Sequence, residues 1–206
     1  MKPKVKTTPD LSITSPAHIE ALRQGDEFLR SSWQRNVIEK YKNKSNEEIK
    51  ADLQITAHPF AVLIENWLGD FNISTAIRNC NGFNCSKVFY IGNRRFDKRG
   101  SVGTINYTDV EWLSSFQDVE KLQDQYTLVG VDNVSGSIPM ETYVYPQFPL
   151  LSFGEEGVGL TPSLQALCKD IIHISMHGSV RSFNCGTASG IACYDFVNKF
   201  KASKTF

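Results

Sequence analysis

The sequence lacks the features that mark several large classes of protein. No apolar run approaches the ~20 residues needed to span a bilayer, and the lysine-rich start has no apolar segment typical of a secretory signal. The five cysteines are odd in number and show no CxxC or zinc-finger spacing, which favours free thiols in a reducing compartment. We therefore expect a soluble, cytoplasmic protein that holds no metal.

The sequence also lacks net charge, because 22 lysines and arginines balance 22 aspartates and glutamates. This balance disfavours indiscriminate binding of nucleic acid over the whole surface, but it permits a local basic patch. One candidate patch is Arg94, Arg95, Lys98 and Arg99, which enclose Phe96. Cations neutralise phosphates and an aromatic ring stacks on a base, although a solvated loop is an equally good interpretation.

From residue 58 onward the chain alternates between strand and helix patterns. Five short apolar runs predict strands at 61–64, 87–91, 127–131, 150–153 and 171–175. Helices are predicted over 72–83 and 116–122, from Pro162 with Thr161 as its N-cap, and from 184 to about 201. This alternation predicts an α/β fold with a parallel sheet and helices on both faces.

Residues 1–57 predict a short N-terminal helical extension, so we divide the chain into domains at 1–57 and 58–206. Ser15-Pro16 opens a helix through about Arg30, and a second helical pattern runs from Trp33 to Tyr41. Ser45 with Glu48 three residues on fits a capping box that opens a third helix.

Two loops that follow predicted strands contain glycine and polar residues. The first is Gly154–Gly159, with Glu155 and Glu156 at its centre, and the second runs from His177 to Asn184. Open α/β sheets bind ligands at strand ends, and glycine lets the backbone approach a ligand closely. The acids argue against a phosphate cradle, and the first loop fits neither a P-loop nor a GxGxxG motif. We expect the two loops to enclose one small cofactor; a plain turn and simple helix caps are the alternatives.

A third candidate set lies at the predicted helix over 72–83. Arg78 is flanked by Ala76, Ile77 and Cys80, so it must leave a largely apolar helix, which favours a functional role. Asn72 begins this helix, and Glu65-Asn66 end the strand before it.

Three segments, Asn72–Arg78, Phe153–Leu160 and Ile174–Asn184, resemble in order the motifs of the SpoU (TrmH-like) class of SPOUT RNA methyltransferases. The resemblance covers roughly residues 58–200. The chain departs from the family pattern at Phe71 and Ser74, where glycine is common. It departs again at Phe183, which replaces a leucine, and at Cys185–Thr187, which replace a small β-branched run.

The resemblance implies an enzyme that transfers a methyl group from S-adenosylmethionine to a ribose 2′-hydroxyl of tRNA or rRNA. It also implies a C-terminal trefoil knot and a homodimer with the active site near the subunit interface. The implied catalytic residues are Arg78, Asn72, Glu156, Ser182 and Asn184. The implied cofactor-binding residues are Asp132, Asn133, Phe153, Gly154, Glu155, Gly157, Ile174, Ser175, Met176, His177, Ser182 and Asn184. The expected RNA-binding residues are Arg94, Arg95, Lys98, Arg99 and Arg181.

The family resemblance casts Arg78 as a general base, but an arginine side chain stays protonated, with a pKa of about 12 or more. We favour a role in which Arg78 binds the phosphate of the target nucleotide and stabilises the developing alkoxide. A base-methylating enzyme of the same fold and a catalytically inactive RNA-binding relative remain alternatives. A dehydrogenase is disfavoured because Leu68–Asn72 do not form a GxGxxG motif.

Overall fold

The computed structural model describes residues 36–68 and 72–204, together with Pro16 and Glu20. The chain divides into two compact units, Met1–Asn43 and Lys44–Phe206. In the first unit, Pro16 and Glu20 are helical and Glu39–Tyr41 form a 3-10 turn. The rest of the helices predicted over 16–30 and 33–41 lies largely outside the described residues.

The second unit is built on a parallel sheet of seven strands in the order β3-β2-β1-β6-β4-β7-β5. The strands are β1 (His58–Asn66), β2 (Cys85–Gly92), β3 (Val110–Leu113), β4 (Thr127–Val131), β5 (Ile138–Pro139), β6 (Pro149–Phe153) and β7 (Asp170–His173). The α-helices are α1 (Asn46–Ile55), α2 (Asn72–Gly82), α3 (Phe116–Lys121), α4 (Pro162–Leu167) and α5 (Cys185–Ser203). Short 3-10 turns occur at Arg99–Ser101, Thr104–Asn106, Leu122–Asp124 and Met140–Thr142.

Both faces of the sheet are covered by helices, which confirms the predicted fold class. Successive side chains of a strand point to opposite faces. Phe60, Val62 and Ile64 of β1 therefore pack with the buried residues of α2 and α5. Ala61 and Leu63 pack on the other face, with those of α3 and α4. Burial on both faces explains why β1 is a continuous apolar run.

The sheet has two more strands than the sequence pattern predicts. β3 and β5 lie at the two edges, in segments where no strand is predicted. β3 pairs only with β2 and is partly exposed, while β5 has only two residues and ends at Pro139. An edge strand needs no continuous apolar run, and a proline that donates no hydrogen bond is tolerated there. The pattern of apolar residues therefore does not reveal β3 or β5.

Two local predictions, the capping box and the free cysteines, are confirmed. Ser45 and Glu48 form the capping box of α1, with Ser45 N donating to Glu48 Oε2 at 2.7 Å and Glu48 N to Ser45 Oγ at 3.1 Å. All five cysteines are free thiols. In the described part of the chain, no helix is both long and apolar enough to traverse a membrane. The domain boundary after residue 57 and the trefoil knot stay predictions.

Candidate active site

A cavity of about 420 Å³ lies at the carboxyl ends of β4, β6 and β7. Pockets for small molecules and cofactors usually enclose about 300–1,000 Å³. Its walls come from residues 131–134 after β4, 153–159 after β6, and 181–185 at the start of α5, with further side chains after β7. Both predicted glycine loops therefore border one cavity.

Most of the residues expected to bind the cofactor line this cavity. Asp132, Asn133, Phe153, Gly154, Glu155, Gly157, Ile174, Met176, Ser182 and Asn184 do so. Ser175 and His177 are not among the lining residues. Ser175 Oγ instead donates to Glu141 Oε2 at 2.9 Å, and His177 is exposed. A binding role for these twelve residues stays a prediction.

The first glycine loop folds back tightly on itself, which explains two of its glycines. Gly159 N donates to Glu155 O at 2.9 Å, so the two ends of the loop are bonded together. A Cβ atom on Gly154 would lie 1.9 Å from the carbonyl carbon of Gly159, and Gly159 has φ +76°. A side chain at position 154 would push the two backbones apart, and position 159 adopts a conformation that favours glycine.

Three carboxylates hold the cavity loops through main-chain amides. Asp132 Oδ2 accepts from Leu160 N at 2.8 Å, and Glu155 Oε1 accepts from Leu68 N at 2.5 Å. Glu65 accepts from Thr161 N at 2.8 Å and from Thr161 Oγ1 at 2.6 Å. Burial raises the pKa of Glu65. The segment after β1 and the loop after β6 are therefore joined directly, and Glu155 offers a ligand its main chain rather than a free carboxylate.

A polar network connects residues from three separate segments. Asn72 Nδ2, at the start of α2, donates to Glu156 Oε2 at 2.7 Å. Asn184 Nδ2 donates to Asn72 Oδ1 at 2.8 Å and to Glu156 Oε1 at 3.1 Å. Asn184 is also the N-cap of α5, because its Oδ1 accepts from Thr187 N at 3.2 Å. The hydrogen bonds from Asn72 and then Asn184 lower the pKa of Glu156, so the carboxylate is held in its charged form.

Arg78 extends from the exposed side of α2. Ala76, Ile77 and Cys80 around it are fully buried, so the helix has one apolar face and Arg78 lies off it. Within residues 36–68 and 72–204, the Arg78 guanidinium has no hydrogen bond or ion pair. Its neighbour Asn79 instead fixes α2 to α5 by donating to Gly186 O at 2.7 Å. The guanidinium is therefore available to a substrate.

The basic cluster at 94–99 is exposed, but its members differ in availability. Arg99 forms an ion pair with Asp97, at 2.5 Å between Nη2 and Oδ2, whereas the structure shows no such partner for Arg94, Arg95 or Lys98 among the residues it describes. Phe96 packs its ring edge-on against Tyr90, with 5.3 Å between centroids, and borders the core. Phe96 is therefore partly engaged in core packing, and its stacking on a base stays a prediction.

The last predicted site residues lie at the second loop. Ser182 lines the cavity beside Asn184, as the order of the motif suggests. Arg181 also lines the cavity; its side chain is exposed, and its carbonyl accepts from Asn133 Nδ2 at 3.0 Å. Sequence reasoning missed the bond between Thr161 and Glu65, because Thr161 was assigned only its capping role. The sequence did contain one signal for this bond, because Glu65 is an acid at the end of a buried strand and needs a hydrogen-bond donor.

The comparisons with known proteins agree with this architecture. The profile of the SpoU rRNA methylase family matches residues 59–194. No curated protein matches the chain in sequence. The A. aeolicus TrmH/SpoU tRNA modifying enzyme superposes with a TM-score of 0.67 at 18% identity, over 77% of this chain and 86% of that chain.

Two further solved structures are similar and were determined with AdoMet. The SpoU methyltransferase AviRb from Streptomyces viridochromogenes has a TM-score of 0.62 at 23% identity, over 70% of this chain and 59% of its own. The rRNA methyltransferase from Sinorhizobium meliloti has a TM-score of 0.59 at 21% identity, over 69% of this chain and 58% of its own. At these identities the likenesses show the fold.

The family profile spans all three motifs, and with them the network and the cavity walls. It assigns the chain to the S-adenosylmethionine-dependent RNA methyltransferases. The chain belongs to the SpoU rRNA methylase family.

Proposed function

We propose that this chain transfers a methyl group from S-adenosylmethionine to a ribose 2′-hydroxyl of tRNA or rRNA. The observation that carries the proposal is the network of Asn72, Glu156 and Asn184, which brings three motifs together beside a cavity of cofactor size. The same helix that supplies Asn72 carries the available cation Arg78. A ribose hydroxyl is a poor nucleophile until its proton leaves or its oxyanion is stabilised, so a fixed polar site with a cation suits this reaction.

The residues around the cavity fit the cofactor. Val131, Phe153 and Met176 offer apolar surface to an adenosine, and the folded loop at 154–159 offers main-chain groups at close range. The charged carboxylate of Glu156 suits a cationic sulfonium nearby. When bound, the cofactor supplies the electrophilic methyl group, and the chain supplies position and electrostatics. We assign cofactor binding to the residues named from the sequence, and Ser175 and His177 are the weakest members of that set.

Arg78 is the proposed catalytic residue. Because an arginine side chain stays protonated at neutral pH, its chemistry here is to hold the phosphate of the target nucleotide and to stabilise the alkoxide as it develops. Asn72, Glu156, Ser182 and Asn184 orient the ribose. The network fixes the first turn of α2, and that helix carries Arg78 toward the substrate.

The RNA-binding residues, the assembly and the location complete the proposal. We assign phosphate contacts to Arg94, Arg95, Lys98 and Arg181, with Arg99 partly neutralised by Asp97. We propose a homodimer, which is supported by exposed apolar side chains around the cavity mouth, Val158 (75%), Val180 (60%) and Phe183 (43%). Free thiols support a reducing compartment, in keeping with the cytoplasm.

The test is methylation of total tRNA and total rRNA with labelled cofactor, followed by nucleoside analysis. We expect the label in 2′-O-methylated nucleosides. Arg78→Ala should lower kcat by about 10²–10³, the usual cost of removing one group that stabilises an oxyanion. Cofactor affinity, measured by calorimetry, should be unchanged. Lys121→Ala, which removes an exposed cation on α3, is the matched control. Near-normal turnover of Arg78→Ala with intact cofactor binding would refute the assignment, and label in a methylated base would refute the ribose.

A further inference from the structure

An aromatic surface lies beside the basic cluster, and neither the cavity nor the polar network uses it. It consists of Trp67, Leu68, Trp112 and Phe116, and we call it the tryptophan surface. Trp67 and Leu68 follow β1, Trp112 lies near the end of β3, and Phe116 begins α3. The surface therefore lies at the carboxyl ends of the strands, as does the candidate active site.

Both tryptophan side chains lie next to the backbone of Gly92. A Cβ atom on Gly92 would lie 3.0 Å from Trp67 Cε3, and the Gly92 carbonyl accepts from Trp112 Nε1 at 3.0 Å. Trp67 also packs on Phe116, with 6.1 Å between ring centroids, and its Nε1 donates to Glu65 Oε1 at 3.3 Å. The indoles are therefore already ordered, so a ligand that stacks on them loses little side-chain entropy.

Trp67 and Leu68 are exposed, Trp112 and Phe116 are half-buried, and positive charge lies beside Trp112. Trp67 is 40% exposed and Leu68 is 78% exposed. The Arg94 guanidinium lies 5.3 Å from the Trp112 ring, and Arg95 is exposed beside it. The acids nearby are already occupied: Glu111 pairs with Lys87 at 2.6 Å, and Asp118 pairs with Lys121 at 2.9 Å. Asp97 pairs with Arg99, and Glu65 is buried. Fixed aromatic rings beside Arg94 and Arg95, which form no ion pair with any residue that the structure describes, suit a nucleobase and its phosphate.

The tryptophan surface is connected to the active site by one bonded segment. Leu68 N donates to Glu155, whose neighbour Glu156 belongs to the polar network. Trp67 precedes Asn72 of that network by five residues. A base stacked on Trp67 would therefore belong to the same RNA whose ribose enters the site. Bases are open to stacking where RNA is unpaired, in loops, bulges and ends.

We propose that the tryptophan surface binds an unpaired nucleotide of the RNA substrate by stacking on its base. This inference rests on the proposed function, since it assumes an RNA substrate. The basic residues named from the sequence would then hold phosphates, while Trp67 reads whether the RNA is unpaired.

The probes are a labelled oligoadenylate and a hairpin duplex of equal length, titrated against the full chain by fluorescence anisotropy. Trp67→Ala should weaken oligoadenylate binding by about tenfold, and Trp67→Phe, which keeps a ring, by less than about threefold. Duplex binding should stay at the wild-type level in both variants. Phe148→Ala is the matched control, because Phe148 is 46% exposed and lies just before β6, at the amino ends of the strands and so opposite the tryptophan surface.

The outcomes separate this inference from the proposed function. Wild-type oligoadenylate affinity in Trp67→Ala would overturn it, as would equal weakening of oligoadenylate and duplex. A smaller species for Trp67→Ala in analytical ultracentrifugation would overturn it too, since the surface would then contact protein. Melting temperatures and the Trp67→Phe variant exclude simple unfolding. If the wild type binds no cofactor and methylates no RNA, the proposed function fails, whereas the oligoadenylate titrations still decide the stacking.

Discussion

Asn184 makes two kinds of hydrogen bond, and three substitutions can separate them. Its Oδ1 caps α5 by accepting from Thr187 N, while its Nδ2 donates to Asn72 and Glu156. Asn184→Ala removes both functions. Asn184→Ser keeps an oxygen that can cap the helix but removes the donors. Asn184→Asp also keeps the cap, and it places a second carboxylate where Nδ2 now lies 3.1 Å from Glu156 Oε1.

The expected losses of stability follow from these bonds. Losing an N-cap costs about 1 kcal/mol, and the partly exposed donor bonds together contribute about 1 kcal/mol more. In a chain of this size 1 kcal/mol shifts Tm by about 2–4 °C. Asn184→Ala should therefore lower Tm by about 4–8 °C and Asn184→Ser by about half as much. Equal melting temperatures for these two variants would show that the cap contributes nothing.

The activities should follow a different order, because in the function we propose the Asn184 donors position the site and the cap does not. Asn184→Ser and Asn184→Ala should lose turnover to a similar extent, and Asn184→Asp should lose the most because two carboxylates repel each other. The assay is single-turnover methylation of total RNA with labelled cofactor, alongside thermal melting of the same samples. Wild-type turnover in Asn184→Ser would refute the claim that this network positions the site.

Two further predictions concern the first glycine loop. Hydrogen bonds lower the pKa of Glu156 below its ordinary value of 4.5, so the carboxylate stabilises the fold above that value and loses this effect as the pH falls through the lowered pKa. The Tm difference between wild type and Glu156→Gln should be constant at neutral pH and shrink below about pH 4; a constant difference at lower pH would contradict this sign. Gly154→Ala should weaken cofactor binding in calorimetry by about tenfold or more, since a loop shift that costs about 1.4 kcal/mol is enough. Gly82→Ala, whose added Cβ meets nothing within 4 Å, should bind normally, and normal binding by Gly154→Ala would refute the packing argument.

The central strands and the glycine loops were predictable because their formation depends mainly on the residues within each segment. Thr127–Val131 form β4 with the predicted bounds, and Thr161 caps α4 while Pro162 opens it. Burial on both faces requires an unbroken apolar run, and helix caps require particular side chains. The same local patterns place both loops after strands. Because the carboxyl ends of parallel strands lie on one side of the sheet, the two loops border one cavity.

The links between distant segments could not be predicted from the residues alone. Nothing local in the sequence pairs Glu155 with Leu68, because the acceptor lies 87 positions from a backbone amide that every residue type but proline provides. The order of the strands places β6 beside β1, and this non-local pairing brings Glu65 to Thr161. Phe96 illustrates the same limit: its ring packs on Tyr90 for reasons of tertiary packing. That Trp67 is an exposed ring became evident only from the three-dimensional structure.

The bonds from Asp132 and Glu155 have a consequence for how this enzyme can diverge. Their partners at Leu160 and Leu68 are main-chain amides, so the acids are constrained while the partner's side chain is irrelevant to the bond. Position 68, where the side chain is 78% exposed, can accept any residue except proline without loosening the loop. Related enzymes can therefore exchange the side chain at position 68 while the backbone of the loop keeps its geometry.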